Sequence, residues 1–190
     1  MKNIHVTNGD FNYSGQDRPE LDYYATDPKA VLSLLMKEKF NPLIWEPACG
    51  GGHISEVLLS NGYSVYSTDI VDRGYSKQNG VIDFMKFDGS FNGDIITNPP
   101  YNICTEFVRK SISVVKDGAK VAMLLKLTFL ETNGRYLFFD EFPPRTVYVF
   151  SGRIGCALNG DFSKSLTKAI AYCWYVWVKG YSGDTIVKWI

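Results

Sequence analysis

The chain has 190 residues, 45% hydrophobic and 21% charged, which suits one domain with a sizeable core and argues against disorder. Twenty basic and twenty acidic residues cancel, so composition alone does not mark a strongly basic nucleic-acid binder; it counts against tight non-specific DNA binding, which comes mainly from phosphate neutralisation. Cys49, Cys104, Cys156 and Cys173 are widely spaced and form no C-x-x-C pair, so neither a metal site nor a disulfide framework is expected. The N-terminus has no apolar signal region and no run approaches the length of a membrane span. A soluble protein in a reducing, cytoplasmic setting is expected, with no membrane partner.

Residues 1–22, rich in Asn, Gly, Asp and Ser, read as a loosely packed arm ahead of a single domain over 23–190. Asp27 is an N-cap candidate and Pro28 suits the first helical position. Val31, Leu34 and Leu35 then recur at helical spacing, and the helix is expected to end near Phe40, before Asn41-Pro42. Leu43 to Ala48 reads as a buried strand entering Cys49-Gly50-Gly51-Gly52. Ile54, Val57 and Leu58 form the next helical face, with Gly62 beyond its end. Ser64–Asp69 is a second strand, Gly80–Phe87 a shorter third one interrupted by Asp83, and Asp94–Thr97 the fourth. Phe107, Val108, Ser111, Ile112 and Val115 mark another helix, and Lys120–Leu127 a buried fifth strand. A short helix is predicted over Arg135–Phe142, then strands over Thr146–Phe150 and Ala169–Val178 and an edge piece over Thr185–Ile190. Strands alternating with helices and then following one another imply a doubly wound α/β fold. The sheet is expected to be seven-stranded, mostly parallel, with an antiparallel end, in the manner of Rossmann-like folds.

In such a sheet ligands bind beyond the carboxyl ends of the strands. The glycines at 50–52 arrive there at the opening of a helix and allow close backbone approach. Asp69 ends the next strand 17 residues after Gly52, well placed to accept from ribose hydroxyls. A dinucleotide fingerprint would carry a third glycine where Ser55 stands. At the end of the fourth strand lie Asn98-Pro99-Pro100-Tyr101. Two prolines donate no backbone hydrogen bond and hold the turn rigid, displaying an amide side chain, a bare carbonyl and an aromatic ring together. That set can accept both hydrogens of an amino group and stack on the flat ring carrying it. The competing reading of the tetrad is a Pro-Pro loop.

With these motifs the chain resembles the class I S-adenosylmethionine-dependent amino-methyltransferases, in particular phage-type adenine-N6 DNA methyltransferases. Asn98-Pro99-Pro100-Tyr101 is similar to their catalytic motif, Glu46 to Gly52 to their cofactor loop, and Tyr24 to Pro28 to their N-terminal cofactor motif. Lys126 to Leu130 and the tail Tyr175 to Ile190 also look phage-type. The resemblance spans about residues 22–190.

It implies S-adenosylmethionine as cofactor and direct methyl transfer to the N6 amino group of a flipped-out adenine in DNA. Thr26 and Asp27 would hold the methionine carboxylate end and Glu46 the amino end. Gly50 and Gly52 would line the cofactor, with Tyr24, Pro47, Ala48 and Ile70 in the same set. Asp69 would bind the ribose, and Asp83 with Phe84 the adenine ring. Asn98 and Pro99 would grip the substrate amino group, with Pro100 and Tyr101 completing the catalytic set. Each also has a structural alternative: Asp27 as a helix cap, Asp69 as a solvated strand-end acid, Phe84 as core. Lys126 and Phe129, after the fifth strand, are substrate-side candidates, as are Arg153 and Lys164 in the long late loop 152–168 (with Lys168). His5 and His53 lack metal-ligand company and read as structural or exposed, and Cys104 as helix core.

At this length a separate target-recognition domain is not expected. An RNA base or a protein glutamine is the alternative substrate, and a non-catalytic cofactor-binding subunit the alternative class.

Overall fold

The computed structural model describes residues 23–131, 133–158, 160–162 and 170–190. The predicted arm over 1–22, and Lys164 and Lys168 of the late loop, lie outside the described residues.

Among the described residues there are ten strands and four α-helices. They are β1 (Tyr24–Thr26), α1 (Pro28–Lys37), β2 (Leu43–Glu46), α2 (His53–Ser60), β3 (Ser64–Asp69), β4 (Gly80–Val81), β5 (Asp94–Thr97), α3 (Cys104–Val114), β6 (Lys120–Lys126), α4 (Tyr136–Glu141), β7 (Thr146–Val149), β8 (Cys156–Leu158), β9 (Tyr172–Val178) and β10 (Ile186–Trp189). Strands follow one another late in the chain as expected, while β1 and β8 are additions. The central sheet has eight strands in the order β10-β7-β9-β6-β5-β2-β3-β4. It is parallel except at β9, which runs antiparallel to both β6 and β7. The eighth strand beyond the seven expected is accounted for by β10, the predicted edge piece, paired parallel to β7 with all four residues exposed.

Alternation along the central strands sorts the core onto two faces. Ile44, Ile96, Trp174 and Val176 meet α1 and α2 through Val31, Leu34, Ile54 and Leu58. Trp45, Ile95, Tyr175 and Trp177 meet α3 and α4 through Phe107, Val108, Ile112 and Phe138. Trp45 is completely buried, edge-on to Phe84 and Phe87, and its Nε1 donates to Thr68 Oγ1 at 2.8 Å. Trp174 Nε1 donates to the Ala30 carbonyl at 2.8 Å, tying β9 to α1.

Three elements depart from the sequence expectation. Helix α1 stops at Lys37 rather than near Phe40, because Glu38 turns to extended backbone (φ −124°, ψ 141°). Its buried carboxylate there accepts from Lys120 Nζ at 2.8 Å, from Tyr148 Oη at 2.7 Å and from the Arg145 guanidinium. The predicted third strand is cut to Gly80–Val81, since Asp83 Oδ1 takes the Met85 amide at 3.1 Å and starts a 3₁₀ turn over Phe84–Lys86. The late loop contains β8, which forms a separate two-stranded antiparallel ladder with β1, Thr26 opposite Cys156 and Tyr24 opposite Leu158.

Beneath the sheet, at the amino ends of its strands, Asp94 accepts from the Asn41 and Lys120 amides, each at 2.7 Å. Burial pushes the Glu38 carboxyl up, and the hydrogen bonds from Lys120, Tyr148 and Arg145 outweigh it, so the group lies below the ordinary glutamate value. A depressed carboxyl contributes stability above its unfolded value and loses it as pH falls through the folded one. Glu38→Ala, which strands two part-buried cations, is expected to cost about 3 kcal/mol in urea unfolding at neutral pH, with the deficit shrinking once pH drops below the depressed folded value. An equal deficit at neutral and strongly acid pH would contradict this role.

Candidate active site

Strand β2 lies between β3 on one side and β5 on the other, so the order of strands reverses there and their carboxyl ends diverge to leave a crevice. Glu46 ends β2, Asp69 ends β3, and Asn98 follows β5 directly. A cavity of about 470 Å³ opens at this point, lined by Tyr24, Thr26, Glu46, Pro47, Ala48, Asp69, Ile70, Asp83, Phe84 and all four residues of the tetrad. The volume falls within the range of small-molecule sites.

Asp69 anchors the glycine turn. Its Oδ2 accepts the Gly50 amide at 2.8 Å and its Oδ1 the Val71 amide at 3.1 Å. Gly50 and Gly52 both take positive φ, 52° and 80°, as the turn into α2 requires. Neither lines the cavity wall. The Tyr23 ring lies on Gly50, its Cδ2 2.6 Å from where a Cβ would stand, and the Tyr75 ring lies 2.3 Å from the corresponding point of Gly52. Two tyrosine rings thus cover the glycines expected to line a cofactor.

Ser55, standing where a third glycine was sought, has a clear structural use. It is completely buried, donates to Glu46 and shares a 2.6 Å hydrogen bond with Ser67. Burial pushes the Glu46 carboxyl well above the ordinary glutamate range; the Ser55 hydrogen bonds oppose this and the Asp69 charge adds to it. Glu46 is therefore a proton-holding acid beside an anchored carboxylate, and a cationic amine entering the crevice would draw it toward ionisation.

At the tetrad, Asn98 Nδ2 donates to the Tyr24 carbonyl at 2.9 Å and lies 3.9 Å from Cys156 Sγ. Its Oδ1 is buried and has no hydrogen-bond partner. The Tyr101 ring is half-buried between Tyr24 and Tyr172, with Lys126 Nζ 5.8 Å from its centroid. Burial drives the Tyr101 phenol far above its usual range, the nearby Cys156 and Tyr172 adding to the effect, so it stays a neutral hydroxyl.

Of the other predicted residues, Asp27, Phe129 and Arg153 fall outside the cavity lining. Asp27 caps α1, accepting from the Lys29 amide at 2.9 Å. Asp83 does line the cavity but also caps its 3₁₀ turn and pairs with Lys86 at 3.1 Å. Phe129 is 3% exposed, packed edge-on against Phe138, Phe139 and Tyr175, because the chain after β6 folds back over the core. Arg153 is exposed in the stretch before β8. Tyr23, His53 and Arg73 line the cavity without having been singled out for it from sequence. The Arg73 guanidinium lies 4.7 Å from the Tyr23 ring centroid. Burial lowers the His53 pKa. Only the three-dimensional neighbourhood marks these residues. Among the described residues no cluster of His, Cys, Asp and Glu could hold a metal ion, and no helix is long and apolar enough to cross a membrane.

No protein-family model and no curated protein matches the sequence. Solved structures do match in fold. A candidate RNA methyltransferase from Pyrococcus horikoshii superposes with a TM-score of 0.54 at 15% identity, over 80% of each chain. The modification subunit of a candidate type I restriction enzyme from Vibrio vulnificus gives 0.60 at 14% identity, over 88% of this chain but 47% of that one. A candidate class I S-adenosylmethionine-dependent methyltransferase from Listeria monocytogenes gives 0.51 at 12% identity, over 84% of this chain and 62% of that one. The fold is that of the class I methyltransferases.

Gly52→Ala and Gly62→Ala both force a left-handed alanine, at φ 80° and 86°, but only at Gly52 is the added carbon blocked, by Tyr75. Denaturant titration is expected to show about 1–3 kcal/mol lost at Gly62 and a larger loss at Gly52. Equal losses would mean that Tyr75 yields freely and does not hold the turn.

Proposed function

We propose that the protein transfers the methyl group of S-adenosylmethionine to the N6 amino group of adenine in DNA. The observation that carries this reading is the buried, unpartnered Asn98 Oδ1 in the cavity that also contains Glu46 and Asp69. A buried acceptor left without a donor costs about 1–3 kcal/mol, and a substrate N–H relieves that cost.

The residues present fit the cofactor. Glu46, deep in the crevice, suits the methionine amine; Asp69 keeps acceptor capacity toward ribose hydroxyls beyond the two amides it already binds; Asp83 and Phe84 flank the space for a purine ring. Thr26 Oγ1, buried without a hydrogen-bond partner, suits the methionine carboxylate. When bound, S-adenosylmethionine supplies a methyl group already activated on a sulfonium, so no covalent nucleophile is needed.

The residues of this chain supply positioning. Asn98 Oδ1 accepts one N–H of the substrate amino group and the Pro99 carbonyl the other. That draws the nitrogen lone pair out of conjugation with the ring and aims it along one direction. Tyr101, held between Tyr24 and Tyr172, offers the ring against which a flipped-out base stacks. The resemblance of the tetrad to adenine-N6 enzymes and the fold likeness to a restriction-enzyme modification subunit support DNA as the substrate. The same two acceptors would serve an RNA base or a protein glutamine, which the experiment separates.

Radiolabelled methyl transfer should be assayed on DNA, RNA and protein, followed by nucleoside analysis. The expected product is N6-methyladenine in DNA; label confined to RNA or protein would overturn the substrate, and no transfer would overturn the activity. Asn98→Ala is expected to keep cofactor binding and lose transfer about 100-fold or more. Full activity in that variant would remove Asn98 from the mechanism.

A further inference from the structure

The amide of Asn98 has three hydrogen-bonding elements: two N–H donors and one carbonyl acceptor. Tyr24 O at 2.9 Å takes one donor, and Cys156 Sγ lies within weak hydrogen-bond reach of the same nitrogen at 3.9 Å. Both contacts belong to one small structure, the β1–β8 ladder, in which Tyr24 and Cys156 lie on opposing strands. The ladder is separate from the central sheet and brings chain from before α1 and after β7 over the end of β5. A backbone carbonyl can only accept, so it tolerates the NH₂ group and repels the oxygen. The reversed amide would set two oxygens against each other and direct the NH₂ into the cavity.

We propose that the β1–β8 ladder is a positioning strap whose Tyr24 carbonyl sets the polarity of the catalytic amide, so that only a residue able to donate backward and accept forward works at position 98. This rests on the reading of Asn98 as acceptor for the substrate amino group. Tyr24 acts through its backbone and Cys156 through its sulfur; neither touches the substrate. The strap explains why residues from the two ends of the domain converge on the tetrad, which the central sheet alone does not require.

The ionisable groups around the amide are few. Cys156 of β8 is a neutral thiol, pushed up to about 12 by burial. The hydroxyls of Tyr101 and of Tyr172 on β9 are raised by burial and stay neutral. Asp27 ahead of α1 acts on Cys156 from a distance, and Lys126 at the end of β6 faces the Tyr101 ring.

Asn98→Asp tests the strap directly. Once ionised, the introduced carboxylate would set an oxygen against the Tyr24 carbonyl; protonated, it donates to that carbonyl and presents its own C=O to the cavity, reproducing asparagine. The ratio of variant to wild-type kcat, at saturating DNA and S-adenosylmethionine, is expected to be at least about tenfold higher near about pH 6 than near about pH 8.5, since protonation changes tenfold per unit above a pKa. A ratio that is flat or rises with pH overturns the strap.

Thermal melting covers a variant too unstable to assay. The deficit in Tm relative to wild type is expected to shrink as pH falls, because a carboxyl raised by folding costs most when ionised; a deficit independent of pH overturns the proposal. Asn98→Ala run alongside separates the two claims. If it keeps full activity, the acceptor role of Asn98 fails. If it is inactive while Asn98→Asp is pH-independent, that role stands and the strap fails.

Discussion

One buried oxygen without a partner, Oδ1 of Asn98, is the constraint around which the carboxyl end of the sheet is arranged. Such a group is unfavourable in a folded chain, and it persists because the other end of the same amide is committed to the Tyr24 carbonyl. The prolines that follow fix the turn, and β5 beneath them is buried along its whole length. The crevice between β2 and β5 then sets this oxygen in the same cavity as Glu46 and Asp69.

Glu46 and Asp69 of that crevice have different hydrogen-bond partners. Asp69 receives two backbone amides and with them organises the glycine turn. Glu46 is buried with Ser55 as its hydrogen-bond partner, and the Asp69 charge adds to the effect of burial. Glu46, held above the ordinary glutamate range by burial, is the group of the crevice that an incoming cation would draw toward ionisation. At the opposite end of the sheet the polar groups serve stability: Glu38 and Asp94 bind Lys120, Arg145, Tyr148 and backbone amides, joining α1 to β6 and β7 away from the chemistry.

Local signals in the sequence located most of this. Asp27-Pro28 starts α1 where the capping residues indicate, Ser64–Asp69 and Asp94–Thr97 are strands over the ranges read from their apolar pattern, and Asn98 to Tyr101 follow β5 into the cavity. The misses share a cause. Glu38 leaves its helix early for Lys120, Tyr148 and Arg145, more than 80 residues away, and β1 pairs with β8 across a comparable gulf. Neither partner can be inferred from periodicity, which reports only which way neighbouring side chains face. Tyr23 and Tyr75 lie over the glycine turn for the same reason, so glycines that looked open to a ligand are covered by rings. Phe129, at a strand end that suggested a rim position, is drawn into an aromatic cluster with Phe138, Phe139 and Tyr175.

The most direct test of the central claim, that the crevice between β2 and β5 is built for a methyl donor, is calorimetric titration of the protein with S-adenosylmethionine. The account predicts saturable binding at one site per chain, weakened when Asp69 is changed to Ala. Absence of binding, or binding indifferent to Asp69, would contradict it.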